Sequence, residues 1–93
     1  MHTVEMQNSA YDPQFMTIAN GDSVRFVNKD GFAHTVDWDT PGSPPNSGTI
    51  NAAGAAGDGY TTPAMTAAGV FAFHCFFHGA PGQGMHGSVT VTP

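Results

Sequence analysis

The sequence predicts an all-β fold, a sandwich or barrel of short strands, on three observations. Short runs rich in Val, Phe, Ile and Thr recur between turn signals. Gly, Pro, Thr, Ser and Asn interrupt almost every window in which a helical period could develop. The bulky apolar residues gather in stretches 1–38 and 64–93, so the core is expected to form by pairing the two ends of the chain, a long-range pairing that suits a Greek key.

Seven strands are expected, at Thr3–Gln7, Phe15–Ala19, Ser23–Asn28, His34–Asp39, Tyr60–Thr62, Val70–Cys75 and Gly87–Thr92. Asn20-Gly21-Asp22 forms the turn between the second and third, because Asn-Gly readily takes positive backbone angles, and Lys29-Asp30-Gly31 closes the third. Thr40–Gly48 and Ile50–Gly59 are poor in bulky residues and read as long surface loop, with a short helical turn at Ala52–Ala56. Nothing in this loop reads as a linker, so one domain is expected over residues 1–93. In the sixth strand Phe71, Phe73 and Cys75 share one face and Val70, Ala72 and His74 the other. The phenylalanines mark the core side, so Cys75 points inward and His74 outward.

Charge narrows the function. Two cationic residues stand against seven acidic ones, a net charge of −5, and a phosphate backbone would be repelled, so no nucleic-acid partner is expected. No run of about 18 apolar residues is present to span a bilayer, and the first residues lack the charged and apolar regions of a secretory signal. A soluble chain, mature or trimmed, is expected. The single cysteine excludes an internal disulfide and leaves a buried thiol, an intermolecular bridge or a metal thiolate.

The segment FHCFFHGAPGQGMHG, residues 73–87, favours the metal. Cys75 and His78 have two residues between them, and Met85 follows after six more. A third strong ligand must come from elsewhere, and His34, at a strand edge with apolar flanks, is the candidate. Two imidazoles, a thiolate and a weak thioether make the trigonal set of a blue-copper centre. A structural zinc site wants four strong ligands and a paired cysteine or histidine knuckle, which is absent. One type 1 copper is therefore expected at His34, Cys75, His78 and Met85. Met6, Met16 and Met65 read as core filler.

The order His34, Cys75-x-x-His78, Met85, running into Gly87-Ser-Val-Thr-Val91, resembles the small cupredoxins, above all plastocyanin, halocyanin and pseudoazurin. Tyr11-x-Pro13, Phe15–Ile18, Gly21–Asn28 and Gly69–Cys75 extend the likeness over nearly the whole chain. The resemblance implies an eight-stranded Greek-key sandwich, equatorial ligation by His34, Cys75 and His78, axial ligation by Met85, and one-electron exchange between protein partners. It also implies a location outside the cytoplasm, in a periplasm or pseudoperiplasm or on the membrane exterior.

Three departures from the family pattern carry expectations of their own. The Gly79–Gly84 segment is longer than usual, which gives the loop more arrangements and leaves water or a small molecule as an alternative axial ligand. Phe77 stands where proline is common. Thr35 stands where asparagine is common, which weakens the expectation of a hydrogen-bonded brace behind the cysteine.

The remaining histidines have plainer expectations. His74 resembles the second-copper ligand that precedes the cysteine in copper nitrite reductases, with Asp37 in place of their catalytic aspartate. Asp39, however, occupies the position of a required histidine, so no second copper is expected and His74 is read as an outward residue and candidate electron port. His86 reads as a surface neighbour of Met85 and its nearest substitute, and His2 as adventitious.

The function expected is electron transfer, with redox proteins docking transiently where the His78 edge emerges among Gly79, Ala80, Pro81 and Gly82. The alternative is an open, purple copper site that oxidises or reduces a small molecule such as nitric oxide. A copper chaperone would want clustered methionines or cysteines, and only Met85 is suitably placed.

Overall fold

The computed structural model describes residues 2–93. Eight strands follow one another: β1 (His2–Gln7), β2 (Ala10–Asp12), β3 (Phe15–Ile18), β4 (Val24–Asn28), β5 (Asp37–Trp38), β6 (Gly59–Thr61), β7 (Gly69–Ala80) and β8 (Gln83–Val91). They make two four-stranded sheets, ordered β2-β1-β4-β6 and β3-β8-β7-β5, and no helix occurs among the described residues. The chain ends pair as expected in the second sheet, where β3 lies parallel to β8 with Ile18 opposite Val91. In the first sheet β1 lies parallel to β4.

Five features differ from expectation by more than one residue. Strand β2 has no sequence signal because its connection to β1 is the two-residue turn Asn8-Ser9, with φ of 55° and 53° and no glycine to mark it. The strand expected at His34–Asp39 shrinks to Asp37–Trp38, because His34 pairs with Ile50 instead of with the sheet. Strand β7 runs on past Cys75 to Ala80, and β8 begins at Gln83 instead of Gly87. The segment Ala52–Ala56 forms hydrogen-bonded turns and not a helical one. Asn51 holds it, its side-chain amide donating to Ala56 O and its own N–H to Gly57 O.

The core lies between the sheets. Val4, Met6, Tyr11, Val24 and Phe26 face Ile18, Phe71, Phe73, Cys75, Met85, Val89 and Val91. The predicted alternation in β7 holds: Phe71, Phe73 and Cys75 are buried, whereas Val70 is exposed. The Phe73 ring meets Tyr11, Phe26 and Trp38 edge-on at 4.7, 5.3 and 5.3 Å, a geometry that adds to plain area burial. Two residues further along β7, Cys75 thus sits on a strand that aromatic packing anchors in the core. Met6 and Met65 are buried and Met16 is partly so, all three packing as filler.

Candidate metal centre

The β7–β8 pairing is regular up to His74 opposite His86 and resumes at Gly79 opposite Gly84. Between those points Cys75-Phe76-Phe77-His78 faces the single residue Met85, an extended bulge that disrupts the ladder and folds His78 back toward Cys75. His34 comes from the loop before β5. Its N–H donates to Ile50 O at 3.0 Å and its carbonyl accepts the Ile50 N–H at 2.8 Å. Ile50, 1% exposed, anchors this loop in the core from a stretch whose composition reads as plain surface loop.

These supports bring three donors together. His34 Nδ1 and His78 Nδ1 each lie 3.7 Å from Cys75 Sγ, and all three donor atoms fall within 4.8 Å of one another. A first-row metal about 2.3 Å from sulfur and about 2.0 Å from nitrogen, with roughly 120° between the bonds, separates two such donors by about 3.7 Å. The spacing fits one shared ion. The donor set of two imidazoles and a thiolate fits copper in character as well as in distance.

The atoms behind the donors fix their orientation. Thr35 N–H donates to Cys75 Sγ at 3.4 Å, and Thr35 Oγ1 accepts the Phe76 N–H at 2.8 Å. The brace behind the cysteine is therefore present, contrary to expectation, because it needs only a backbone donor and a side-chain acceptor, and threonine has both. The Tyr11 hydroxyl donates to Thr35 O at 2.6 Å and ties the brace to the core. Burial, followed by the charges of Cys75, Asp37 and Asp39, pushes the Tyr11 phenol well above its ordinary range, so it remains a donor. On His34, Nε2 lies 2.6 Å from Asp30 Oδ2. That contact assigns the ring proton to Nε2 and leaves Nδ1 as the free lone pair.

Met85 is 2% exposed and belongs to the core cluster. The Gly79–Gly84 segment, expected to be loosely arranged, is a tight extension of the β7–β8 hairpin, with Ala80 opposite Gln83 and Pro81-Gly82 at its tip. Gly82 takes a φ of +71°, which the third position of a proline-initiated type II turn requires. At Gly79 a Cβ would lie 2.5 Å from Met85 O, 2.8 Å from Met85 N and 2.9 Å from Gln83 O, all backbone atoms. Gly79→Ala is accordingly expected to cost about 1–3 kcal/mol, as overpacking does. Calorimetry of the metal-free protein would read this as a thermal midpoint lowered by about 4 °C or more.

The other histidines lie outside the cluster. His74 faces away from the core as expected, but its Nδ1 is bound to Asp39 Oδ1 at 2.6 Å and only 16% of the side chain is exposed, so it is less of a port than the sequence implied. His86 alternates away from Met85, its Nδ1 on Gly84 O, and could replace Met85 only if β8 were rebuilt. His2 pairs with Asp22 at 3.0 Å. Sequence reasoning missed Asp30 and Ile50. For Asp30 the available signal was a carboxylate four residues before a candidate ligand in a chain with few charges.

A two-sheet β-sandwich carrying a His-Cys-His donor cluster is the architecture of a small cupredoxin. Residues 1–92 match the copper binding proteins of the plastocyanin/azurin family, and the chain belongs to that family. It is 35% identical over 89 residues to plastocyanin of Capsella bursa-pastoris, covering 88% of this chain and 87% of that protein. To the chloroplastic plastocyanin of Chlamydomonas reinhardtii it is 34% identical over 84 residues, 85% of this chain. The aligned part spans only 56% of that longer protein. A purple cupredoxin from Nitrosopumilus maritimus has the same fold, with a TM-score of 0.78 and 23% identity, over 99% of this chain and 100% of that one. Family, relatives and donor cluster together support a copper electron-transfer protein with one type 1 copper.

Proposed function

We propose that this chain is a single cupredoxin domain that carries single electrons between redox proteins, with His34, Cys75 and His78 as the residues that would hold the copper strongly and Met85 as the weak fourth ligand. The observation that carries the reading is the burial pattern. His34, Cys75 and Met85 are all 2% exposed or less, whereas His78 reaches the surface. Bound copper supplies the one-electron couple. The residues supply a cluster buried except at His78 and held by Thr35, Ile50 and the hairpin, so that little has to move when the charge changes.

His78 is the exit. Phe32 lies 5.4 Å from its ring and Phe77 6.3 Å, and both phenylalanines are about half exposed. With Phe76, 70% exposed, and the adjoining Ala80-Pro81-Gly82 tip, they form an apolar surface suited to brief docking of a redox protein. The net charge of −5 favours a partner with a positive rim and a salt-dependent encounter. Family membership supports an extracytoplasmic location. No helix among the described residues is long and apolar enough to cross a membrane.

The second reading is an open copper site that takes a small molecule such as nitric oxide. Its purple structural neighbour is 23% identical, a likeness that carries fold and not chemistry. Buried Met85 favours the closed carrier. Loading with Cu(II) is expected to give one intense blue charge-transfer band that cycles reversibly with one electron and is unchanged by azide or nitric oxide. A spectrum that shifts on adding either ligand would sink the closed carrier and leave the open site.

A further inference from the structure

Among the described residues, Asp30 is the one acidic side chain that reaches the donor cluster, and the fold invests several groups in holding it there. The residue is 8% exposed. Its Oδ1 accepts the Asn8 N–H at 2.8 Å; its Oδ2 accepts the Ser9 N–H at 3.0 Å and lies 2.6 Å from His34 Nε2. The Asp30 N–H donates to Asn28 Oδ1 at 2.9 Å, and Asn28, 1% exposed, donates in turn to Phe32 O and Asn51 O. Asn8 and Ser9 present their amides from left-handed backbone angles that non-glycine residues seldom adopt. Three N–H groups, from Asn8, Ser9 and the His34 ring, thus satisfy the two carboxylate oxygens in their buried position.

We propose that Asp30 sets the reduction potential of the centre, its negative charge on the distal nitrogen of His34 favouring the more highly charged oxidised metal. Such a carboxylate makes the opposite ring nitrogen a stronger donor. The effect is not screened away, because both groups lie out of water, where charge acts strongly. The proton remains on His34 Nε2 in both oxidation states, and only an electron moves. Asp30 therefore acts through His34 as a positioning and tuning residue. A purely structural role, pinning the Asn8-Ser9 turn to the ligand loop, would weaken both oxidation states alike and leave the potential where it was.

The inference rests on His34 as a copper ligand, which is tested separately: a His34→Ala variant that kept the wild-type charge-transfer band would remove that reading and this one with it. The test proper compares Asp30→Asn with Asp30→Glu by competition titration of Cu(II) and Cu(I) and by direct potentiometry. Asp30→Asn is expected to weaken Cu(II) binding about tenfold more than Cu(I). For one electron that ratio is an upward shift of about 59 mV. Asp30→Glu keeps the charge and is expected to shift the potential less. Equal losses in both oxidation states, or equal shifts in both variants, would overturn the proposal. Nitrogen-15 NMR of the wild-type metal-free protein keeps the question open to a negative answer even if neither variant folds. A proton bound to His34 Nε2 is expected, and its absence there would also overturn the proposal.

Discussion

Cys75→Ser is expected to abolish the visible charge-transfer absorption of the Cu(II)-loaded protein and to weaken Cu(II) retention by more than about 100-fold, since even outer-shell changes cost about 10–100-fold. The colour of a type 1 site comes from a soft thiolate close to the metal, and a serine hydroxyl is neither soft nor ionised at neutral pH. The substitution should leave the fold intact. Serine is nearly the size of cysteine, and the Thr35 N–H that donates to Sγ at 3.4 Å can donate to a hydroxyl oxygen instead. Absorption spectra and chelator competition would read the two effects, and circular dichroism would confirm the fold. A variant that kept the intense band would show that Cys75 is not the thiolate responsible and would remove the copper assignment at this site.

The sequence made the three strong donors legible because each leaves a local mark. Cys75 ends an alternating apolar strand, His78 follows at a turn-compatible spacing, and His34 sits between apolar residues at a strand edge. The supports left weaker marks. Ile50 lies in a glycine- and alanine-rich loop, so nothing local distinguishes a buried anchor from an exposed aliphatic, yet it holds the backbone of His34 on both sides. The Asn8-Ser9 turn lacks a glycine, which hid both strand β2 and the amides that hold Asp30. Thr35 misled for a different reason. Its match to a side-chain pattern was poor, but the bond to sulfur comes from the backbone, which every residue other than proline can supply.

The hairpin beyond His78 shows how composition and geometry can disagree. A run of three glycines, one proline and two other residues reads as freedom. Pairing across Gly79–Gly84 and Ala80–Gln83 converts it into constraint, because glycine at 79 admits the Met85 backbone and glycine at 82 turns the tip. Flexibility in the unfolded chain becomes close approach in the folded one, and the cost falls on the unfolded side.

Met85→Ala is the substitution that tests what this constraint is for. Met85 is 2% exposed in the core cluster, so truncation is expected to cost about 2–5 kcal/mol, a large share of the roughly 5–15 kcal/mol that stabilises a domain. The metal-free thermal midpoint should fall by about 8 °C or more. The same truncation removes side-chain bulk opposite the Cys75–His78 bulge, and the Cu(II) spectrum should then respond to azide where the wild type does not. Met85→Leu separates the two roles of the side chain. It nearly conserves volume, so its stability cost should stay below about 1.5 kcal/mol and the site should stay closed to azide, although the thioether is gone. If closure depends on bulk, Ala opens the site and Leu does not; if both variants bind azide equally, the sulfur keeps small molecules out by occupying the axial position itself. A wild-type protein that already binds azide as readily as the alanine variant would show that Met85 neither ligates nor covers the metal, and the sealed-carrier reading would fall with it.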